Sequence, residues 1–263
     1  MPWGDRRPKV ALVLGGGAAR CFAHVGVIRA LEKSKIQIDI VVGANTGSLI
    51  GAIYADKKSL AELERIALSL EERDVFDYNF INPTQGFARG ARLEDFLSKR
   101  LVAREIDQLK LPFAAVATDI QNGEVVAFQS GSIARAVHAS SAIPGIFTPV
   151  SYQGKMLVDG GVLNNVPVDV ARKMGADVVI AVDLGAGPKA AQVGNVFENL
   201  VQSFYLAARP NTEAKLKQAD VVILPKTTET GLLDFSRKKE LVTLGVEAVE
   251  QAMPEIRKKL GRK

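Results

Sequence analysis

From residue 9 onward, short runs of β-branched and aliphatic residues alternate with stretches of helical spacing, and this alternation limits the fold more than any other feature of the chain. Strand, helix and strand in succession require a crossover connection, so a parallel sheet is expected. Residues 9–14 are predicted as a buried strand, 18–33 as a helix with Phe22, Val25, Ile28 and Leu31 on one face, 38–43 as a second strand and 47–55 as a helix rich in small residues. Amphipathic helices follow at 60–70 and 93–101, then paired strands at 113–120 and 124–128 joined by a turn at Asn122-Gly123, and a helix at 132–140 that stops before Pro144. A strand at 155–158, helix at 168–174, strand at 177–184, helix at 193–208, strand at 219–225 and last helix at 236–260 complete the pattern. Residues 74–90 are the least regular part, either a lid over a site or a surface connection. With no internal repeat and no linker, one α/β domain over residues 1–263 is expected, its core spanning about 10–249.

The composition narrows the function classes. At 47% hydrophobic and 24% charged, the 263 residues suit a globular core and exclude a disordered chain, a collagen-like repeat or a disulfide scaffold. One cysteine and two histidines cannot supply an internal disulfide or a Cys/His zinc cluster, and neither a metal nor a cofactor is expected. No apolar run reaches the roughly 18 residues that cross a bilayer. The start, MPWGDRRPKVALVLGGGAAR, imitates a signal peptide, but its apolar run at 10–14 is short and meets three glycines at once, so a strand and a cytoplasmic address are expected. The net charge of +5 favours anionic surfaces. The tail residues Arg257, Lys258, Lys259, Arg262 and Lys263 either touch anionic headgroups, as a peripheral membrane contact, or form a solvated helix end.

Two glycine turns carry the chemical signal. Gly15-Gly16-Gly17-Ala18-Ala19-Arg20 joins the first strand to a helix, and its successive N–H groups can hold a phosphate or the oxyanion of an acyl transfer. Arg20 stands where a dinucleotide fingerprint needs its third glycine, and no P-loop lysine motif is present, so a nucleotide site explains little and no nucleic-acid partner is expected. The second turn, Gly43-Ala44-Asn45-Thr46-Gly47, has the frame of a G-x-S-x-G nucleophile elbow. Its centre is Asn45, which tolerates left-handed backbone angles but cannot become an attacking alkoxide.

Three strand-end carboxylates are candidate bases: Asp119, Asp159 and Asp183. Asp159 is the strongest, because the Gly160-Gly161 turn is expected to expose it to a crevice, whereas the other two fit turn formers or caps. His24 and His138 read as structural residues, so a Ser-His-Asp triad has little support. Cys21 sits where a helix N-terminus can lower a thiol pKa, although a small packing residue is the simpler role. Thr46 and Ser48 are the nearest hydroxyls to Asn45, one displaced along the elbow and the other inside the helix.

Taken together, GGGAAR with the following His24-Val25-Gly26-Val27, the frame GANTG, the segment LVDGGVLNNVP, and the stretches ASSAIPGIFTPV and DFSRKKEL resemble the patatin-like phospholipases, their small bacterial members above all. The resemblance runs from residue 10 to about 249 and implies a three-layer α/β/α sandwich with a mainly parallel central sheet. It also implies a serine–aspartate dyad without histidine, in which the elbow serine attacks a lipid ester and the aspartate acts as general base. Carried to this chain, Asp159 is the base, Gly15, Gly16, Gly17 and Ala18 form the oxyanion loop with Arg20 beside it, and Asn45 holds the nucleophile position. Gly43, Gly47, Gly160 and Gly161 support the two turns.

The chain departs from the family where chemistry would start. Its elbow interior, Ala44-Asn45-Thr46, differs at every position from the family's G-T-S-A-G form, and Cys21 replaces the glycine after the loop arginine. Two functions therefore stand side by side: a lipid acyl hydrolase with a disabled nucleophile, and a pseudoenzyme that binds lipids or acyl chains as a sensor or scaffold. Acyl-chain preference, headgroup preference and oligomeric state are not specified by these motifs.

Overall fold

The computed structural model describes residues 6–77, 88–185 and 196–261. In chain order the helices are α1 (Phe22–Lys33), α2 (Thr46–Lys57), α3 (Leu60–Ser69), α4 (Glu72–Val75), α5 (Ala91–Arg100), α6 (Ile133–Ser140), α7 (Gly161–Asn164), α8 (Val168–Lys173), α9 (Val196–Leu216) and α10 (Lys238–Lys259). The strands are β1 (Val10–Leu14), β2 (Ile40–Ala44), β3 (Phe113–Asp119), β4 (Glu124–Phe128), β5 (Val150–Tyr152), β6 (Lys155–Asp159), β7 (Val178–Val182) and β8 (Val221–Ile223). One sheet holds them all, ordered β5-β6-β3-β2-β1-β7-β8, with β4 added on β3.

The stretch from β3 through β2, β1 and β7 to β8 is parallel throughout, as strand–helix alternation requires. The other side is antiparallel, because β4 and β6 both run against β3 and β5 runs against β6. Alternate residues of β1 feed two cores: Val10, Leu12 and Leu14 pack with α1, α2 and α10, while Ala11 and Val13 pack with Val168, Val170 and Ala171 of α8. The sheet is thus the middle layer of a sandwich, buried on both faces as parallel sheets are. On one outer layer α1 and α10 cross backbone to backbone. A Cβ on Gly26 would lie 1.9 Å from the Val242 carbonyl oxygen, and one on Gly245 would lie 2.0 Å from that of Ala23.

One consequence of the mixed sheet positions the site. Ala115 and Val116 of β3 pair with β4 on one edge and with Gly43 and Ala44 of β2 on the other. Ala117 to Asp119 pair with β4 on the first edge and with β6 on the second. The strands β2 and β6 therefore share an edge of β3, run in opposite directions and meet end to end. Ala44 stands opposite Val116 and Asp159 opposite Ala117, so the residue after β2 and the last residue of β6 are brought together.

Several elements differ from the sequence expectation. The helix expected over 18–33 opens as a 3-10 turn, Ala18–Cys21, because Ala18 takes a positive φ of 49° that an α-helix excludes. Strand β5 was not expected; it forms a hairpin with β6 through Gln153-Gly154, both at positive φ, as a two-residue turn requires. Helix α9 runs on to Leu216 through Pro210, whereas a stop at 208 was expected. Burial of Tyr205, Ala208 and Thr212 along its inner face outweighs the backbone bond lost at the proline. Within the irregular stretch, Asp77 caps α5 by accepting from the N–H groups of Arg89, Gly90 and Ala91 at 2.7–2.9 Å. The central part of the expected lid, 78–87, lies outside the described residues, as do Arg262 and Lys263 of the basic tail. No described helix is long and apolar enough to cross a membrane.

Candidate active site

The elbow forms where β2 turns sharply into α2. Asn45, between them, sits at φ 52° and ψ −135°, a conformation that typically costs a non-glycine residue about 1–3 kcal/mol and persists only when its surroundings enforce it. Those surroundings are specific. A Cβ on Gly43 would lie 2.5 Å from the Ser48 backbone nitrogen, and one on Gly47 would lie 2.1 Å from the Leu14 carbonyl oxygen, so only glycine lets α2 start this close to β2 and β1. Ser48 donates through its N–H (2.9 Å) and its hydroxyl (2.6 Å) to the Asn45 carbonyl, so that hydroxyl holds the turn and is not free to react.

Asp159 comes to the elbow through Ser140, at the end of α6. The Ser140 carbonyl accepts from the N–H groups of both Asn45 and Gly160, each at 3.1 Å. The Ser140 hydroxyl donates to the Val116 carbonyl at 2.6 Å, at the junction on β3, and lies 3.0 Å from the Asn45 nitrogen. One residue therefore ties together the two strand ends and the strand they share. Sequence reading missed Ser140, which it held only as part of the ASSAIPG stretch, because its role depends on where α6 ends in space.

The Asp159 carboxylate is fully buried, at 0% exposure. This corrects the expectation of a flexible turn opening it to a crevice. The glycine turn is instead drawn into the sheet: a Cβ on Gly160 would lie 2.0 Å from the Val116 carbonyl oxygen, and α7 begins at once with Gly161. The Gly161 N–H donates to Asp159 Oδ1 at 2.6 Å, and Asn45 Nδ2 donates to Oδ2. Burial pushes the Asp159 carboxyl up to about 7, against the opposing pull of the Gly161 N–H and the Asn45 amide.

The other end of the Asn45 amide reaches the glycine loop, where Oδ1 accepts from the Ala18 N–H at 3.4 Å. The rest of the loop is held from outside. The Gly15 and Gly16 N–H groups donate to the carbonyls of Val182 (3.0 Å) and Asn165 (3.3 Å), and the Thr46 hydroxyl donates to the Ala18 carbonyl at 3.1 Å. His24 Nε2 lies 2.8 Å from the Gly15 carbonyl, so that nitrogen carries the proton, and burial lowers the imidazole to about 4. His24 is therefore a neutral brace for the loop. Arg20 is also buried, its guanidinium donating to the carbonyls of Thr230 (2.9 Å) and Gly185 (3.1 Å). Its partners are backbone oxygens, so it pins the loop that follows β8 to the turn that follows β7.

The remaining candidates are engaged elsewhere. Asp119 accepts from Gln121 N at 3.1 Å and Asn122 Nδ2 at 2.8 Å in the β3–β4 turn, and the Asn122 bond helps hold its carboxyl below the usual range. Asp183 pairs with Arg209 of α9 at 2.6 Å. His138 is bound to Glu94 through Nδ1 at 2.5 Å. Cys21 is fully buried, and that burial pushes its thiol up to about 12, so it is a packing residue without thiolate character at neutral pH. Among the described residues, no cluster of three or more potential metal ligands forms.

The raised Asp159 pKa carries a stability consequence. The folded carboxyl near 7, against an ordinary 3.8, means that the folded state binds the extra proton between those values. The contribution of Asp159 is therefore most favourable below about pH 4 and is lost as pH rises through about 7. Asp159→Asn is expected to melt like the unsubstituted protein near pH 4 and to be more stable at pH 8, by up to about 4 kcal/mol. Thermal unfolding at the two pH values measures this, and equal melting temperatures at pH 8 would contradict the buried, proton-retaining carboxyl.

Comparison with known proteins supplies a frame for this geometry. Residues 12–172 match the family model described as "Patatin-like phospholipase". The chain is 36% identical over 185 residues to human "Patatin-like phospholipase domain-containing protein 6", covering 67% of this chain and 13% of that protein. It is 37% identical over 191 residues to an "Uncharacterized NTE family protein" of Mycobacterium tuberculosis, covering 70% of this chain and 52% of that one. The chain thus spans from about an eighth to about half the length of these relatives. In structure it is similar to VipD from Legionella pneumophila, with a TM-score of 0.64, 16% identity, and coverage of 95% of this chain and 67% of that chain. It is also similar to ExoU of Pseudomonas aeruginosa in complex with SpcU, with a TM-score of 0.52, 15% identity, and coverage of 97% and 53%. At these identities the structural likeness establishes the shared fold, an α/β architecture with a mostly parallel sheet flanked by helices.

Proposed function

This chain belongs to the patatin-like phospholipase family, and from that premise we propose that it carries a lipid acyl hydrolase site in which Asn45 has replaced the nucleophile of a serine–aspartate dyad. The observation that carries the reading is the span of the Asn45 amide, which donates from Nδ2 to Asp159 and accepts at Oδ1 from the Ala18 N–H. A serine hydroxyl on the same elbow would face a base on one side and an oxyanion donor on the other. Its proton would pass to Asp159 as Oγ attacks the acyl carbonyl, and the carbonyl oxygen would take its negative charge beside the Ala18 N–H. The leaving alcohol would then recover the proton from Asp159. A water deprotonated by the same carboxylate would release the fatty acid and restore the serine.

Asparagine allows none of these steps. Its amide nitrogen is not basic, and its N–H bond to Asp159 does not yield a nucleophile. The amide instead satisfies both partners at once and closes the site on itself, with Asn45 only 1% exposed. Loss of the reacting group leaves a second reading, a protein that holds lipid or acyl groups as a sensor or scaffold. Its substrate or ligand class is a lipid acyl ester in either case. The basic residues Arg257, Lys258 and Lys259, exposed at the end of α10, add a peripheral contact for anionic headgroups at about 1 kcal/mol each. We also propose that the chain acts as one domain in the cytoplasm, without a metal or cofactor of its own.

Reaction with an alkyl fluorophosphonate tests the site. Intact-mass measurement is expected to find one phosphonyl group on Asn45→Ser, mapping to position 45, with fluoride lost and the proton taken by Asp159. The unsubstituted chain is expected to stay unlabelled. Labelling of the unsubstituted chain at another residue, or no labelling of the serine variant, overturns this reading.

A further inference from the structure

Among the described residues seven large apolar side chains stand exposed, and three of them, Val196 (78%), Leu200 (46%) and Leu206 (56%), lie close together on one helix, α9. That helix already buries Val201, Tyr205, Ala208 and Thr212 against the domain, so the three point away from a packed face. A fourth, Leu224, follows β8 at the position beside Asp183, and Asp183 pairs with Arg209, one turn beyond Leu206. A single surface leucine needs no explanation, but a group of them on one side of a protein does.

The group adjoins the site. Phe204 stands one turn along α9 from Leu200, and its ring lies 3.2 Å from where a Gly161 Cβ would stand; Asp159 Oδ1 lies 3.0 Å from that same point. Leu200 lies 3.8 Å from where a Cβ on the exposed Gly145 would stand. The half-buried Phe204 thus links the outward face of α9 to the wall of the dyad.

The surroundings lack charge. Residues 139–154, 160–168 and 199–208 contain no Asp, Glu, Lys or Arg, although the chain as a whole is 24% charged. Ser140, Gly145, Gly160, Gly161, Leu200 and Phe204 all fall in these three segments. Such a rim loses little hydration on entering the boundary between headgroups and acyl chains. The outward face of a helix is convex, and Val196 to Leu206 spans about 15 Å, which suits a broad lipid interface rather than a slot for one acyl chain. The basic end of α10 is not part of this face. Lys259 lies 3.9 Å from Asp220, just before β8, at the opposite end of the parallel strands from the elbow.

We infer that the uncharged outward face of α9, with Val196, Leu200 and Leu206, seats the protein on a neutral lipid surface and brings that surface to the side of the site that Phe204 lines. From the proposed function this takes only the lipid class of the ligand. The contact is apolar, so it needs no anionic headgroup and salt does not screen it.

Flotation of the full chain with neutral phosphatidylcholine vesicles tests this. Binding is expected at 0.1 M salt and is not weakened at 1 M. Leu200→Asp with Leu206→Asp is expected to lower the partition coefficient at least tenfold, with the melting temperature within about two degrees because both positions are exposed. Val196→Asp alone, at the most exposed of the three positions, is expected to lower it severalfold. Lys258→Glu is expected to leave it unchanged. Absence of flotation, loss of binding at 1 M salt, or full binding by the double aspartate variant overturns the inference. So does a stable dimer that the same two substitutions dissociate, which would assign the face to a second copy of the chain. Flotation needs no turnover, so the two readings fail separately. A silent Asn45→Ser variant that still floats sinks the hydrolase site and leaves this inference standing, and an active variant that does not float does the opposite.

Discussion

Asn45→Ser is expected to raise hydrolysis of a nitrophenyl ester from background by a factor of about 10³ to 10⁶, the range by which loss of a hydrolase nucleophile lowers the rate. The expectation is this large because nothing else about the elbow has to change. Gly43 and Gly47 already permit the close approach of α2, Ser140 already holds the Asn45 N–H, and Asp159 is already within hydrogen-bonding reach of the side chain at position 45. Serine shortens the side chain, frees the Ala18 N–H for an oxyanion and leaves its own proton directed at the carboxylate. Serine tolerates positive φ less readily than asparagine, so a loss of roughly 1 kcal/mol in stability is expected alongside the gain in rate. Side-by-side assays of the two proteins decide the matter. Hydrolysis by the unsubstituted chain that disappears in Asp159→Ala would mean that another residue attacks. Silence in both forms would favour the binding-protein reading.

In the active serine form, Asp159→Ala is expected to remove about 10³- to 10⁴-fold of the rate, because an unassisted serine hydroxyl is a poor nucleophile at neutral pH. With Asp159 in place, the rate is expected to rise with pH through about 7, since only the deprotonated carboxylate accepts the serine proton and burial has lifted its pKa to that point. Asp159→Asn makes the comparison sharper. It keeps the shape of the residue, removes the base and the pH-dependent limb, and is the same substitution expected to raise stability at pH 8. Stability and rate moving in opposite directions would identify the buried carboxyl as retained for chemistry at a cost to folding. A rate that ignores pH between 5 and 9, or that survives the alanine substitution, would overturn the dyad.

Local patterns account for much of what could be read in advance. Alternating β-branched runs and helical spacing specify the order of elements, because each element buries its own apolar face with its own period. The parallel strands β1, β2, β7 and β8 and the helices between them follow that order. The elbow was equally legible at Gly43-Ala44-Asn45-Thr46-Gly47, since a turn this tight demands glycine at fixed offsets wherever it occurs. Exceptions arose where distant contacts overrode local preference, as when α9 continued through Pro210. The Gln153-Gly154 turn that pairs β5 with β6 was a local signal that went unread.

Residue order alone was enough for most of the elements, the glycine-framed turns and the identity of the groups at positions 45 and 159. It took the packed chain to bring β2 and β6 end to end on one edge of β3, to set the Ser140 carbonyl against both strand ends, and to seal Asp159 from water. The physical reason is that periodicity and turn chemistry report a residue's immediate neighbours. Burial and proton affinity are set by groups from tens to more than a hundred positions away, which no local pattern encodes.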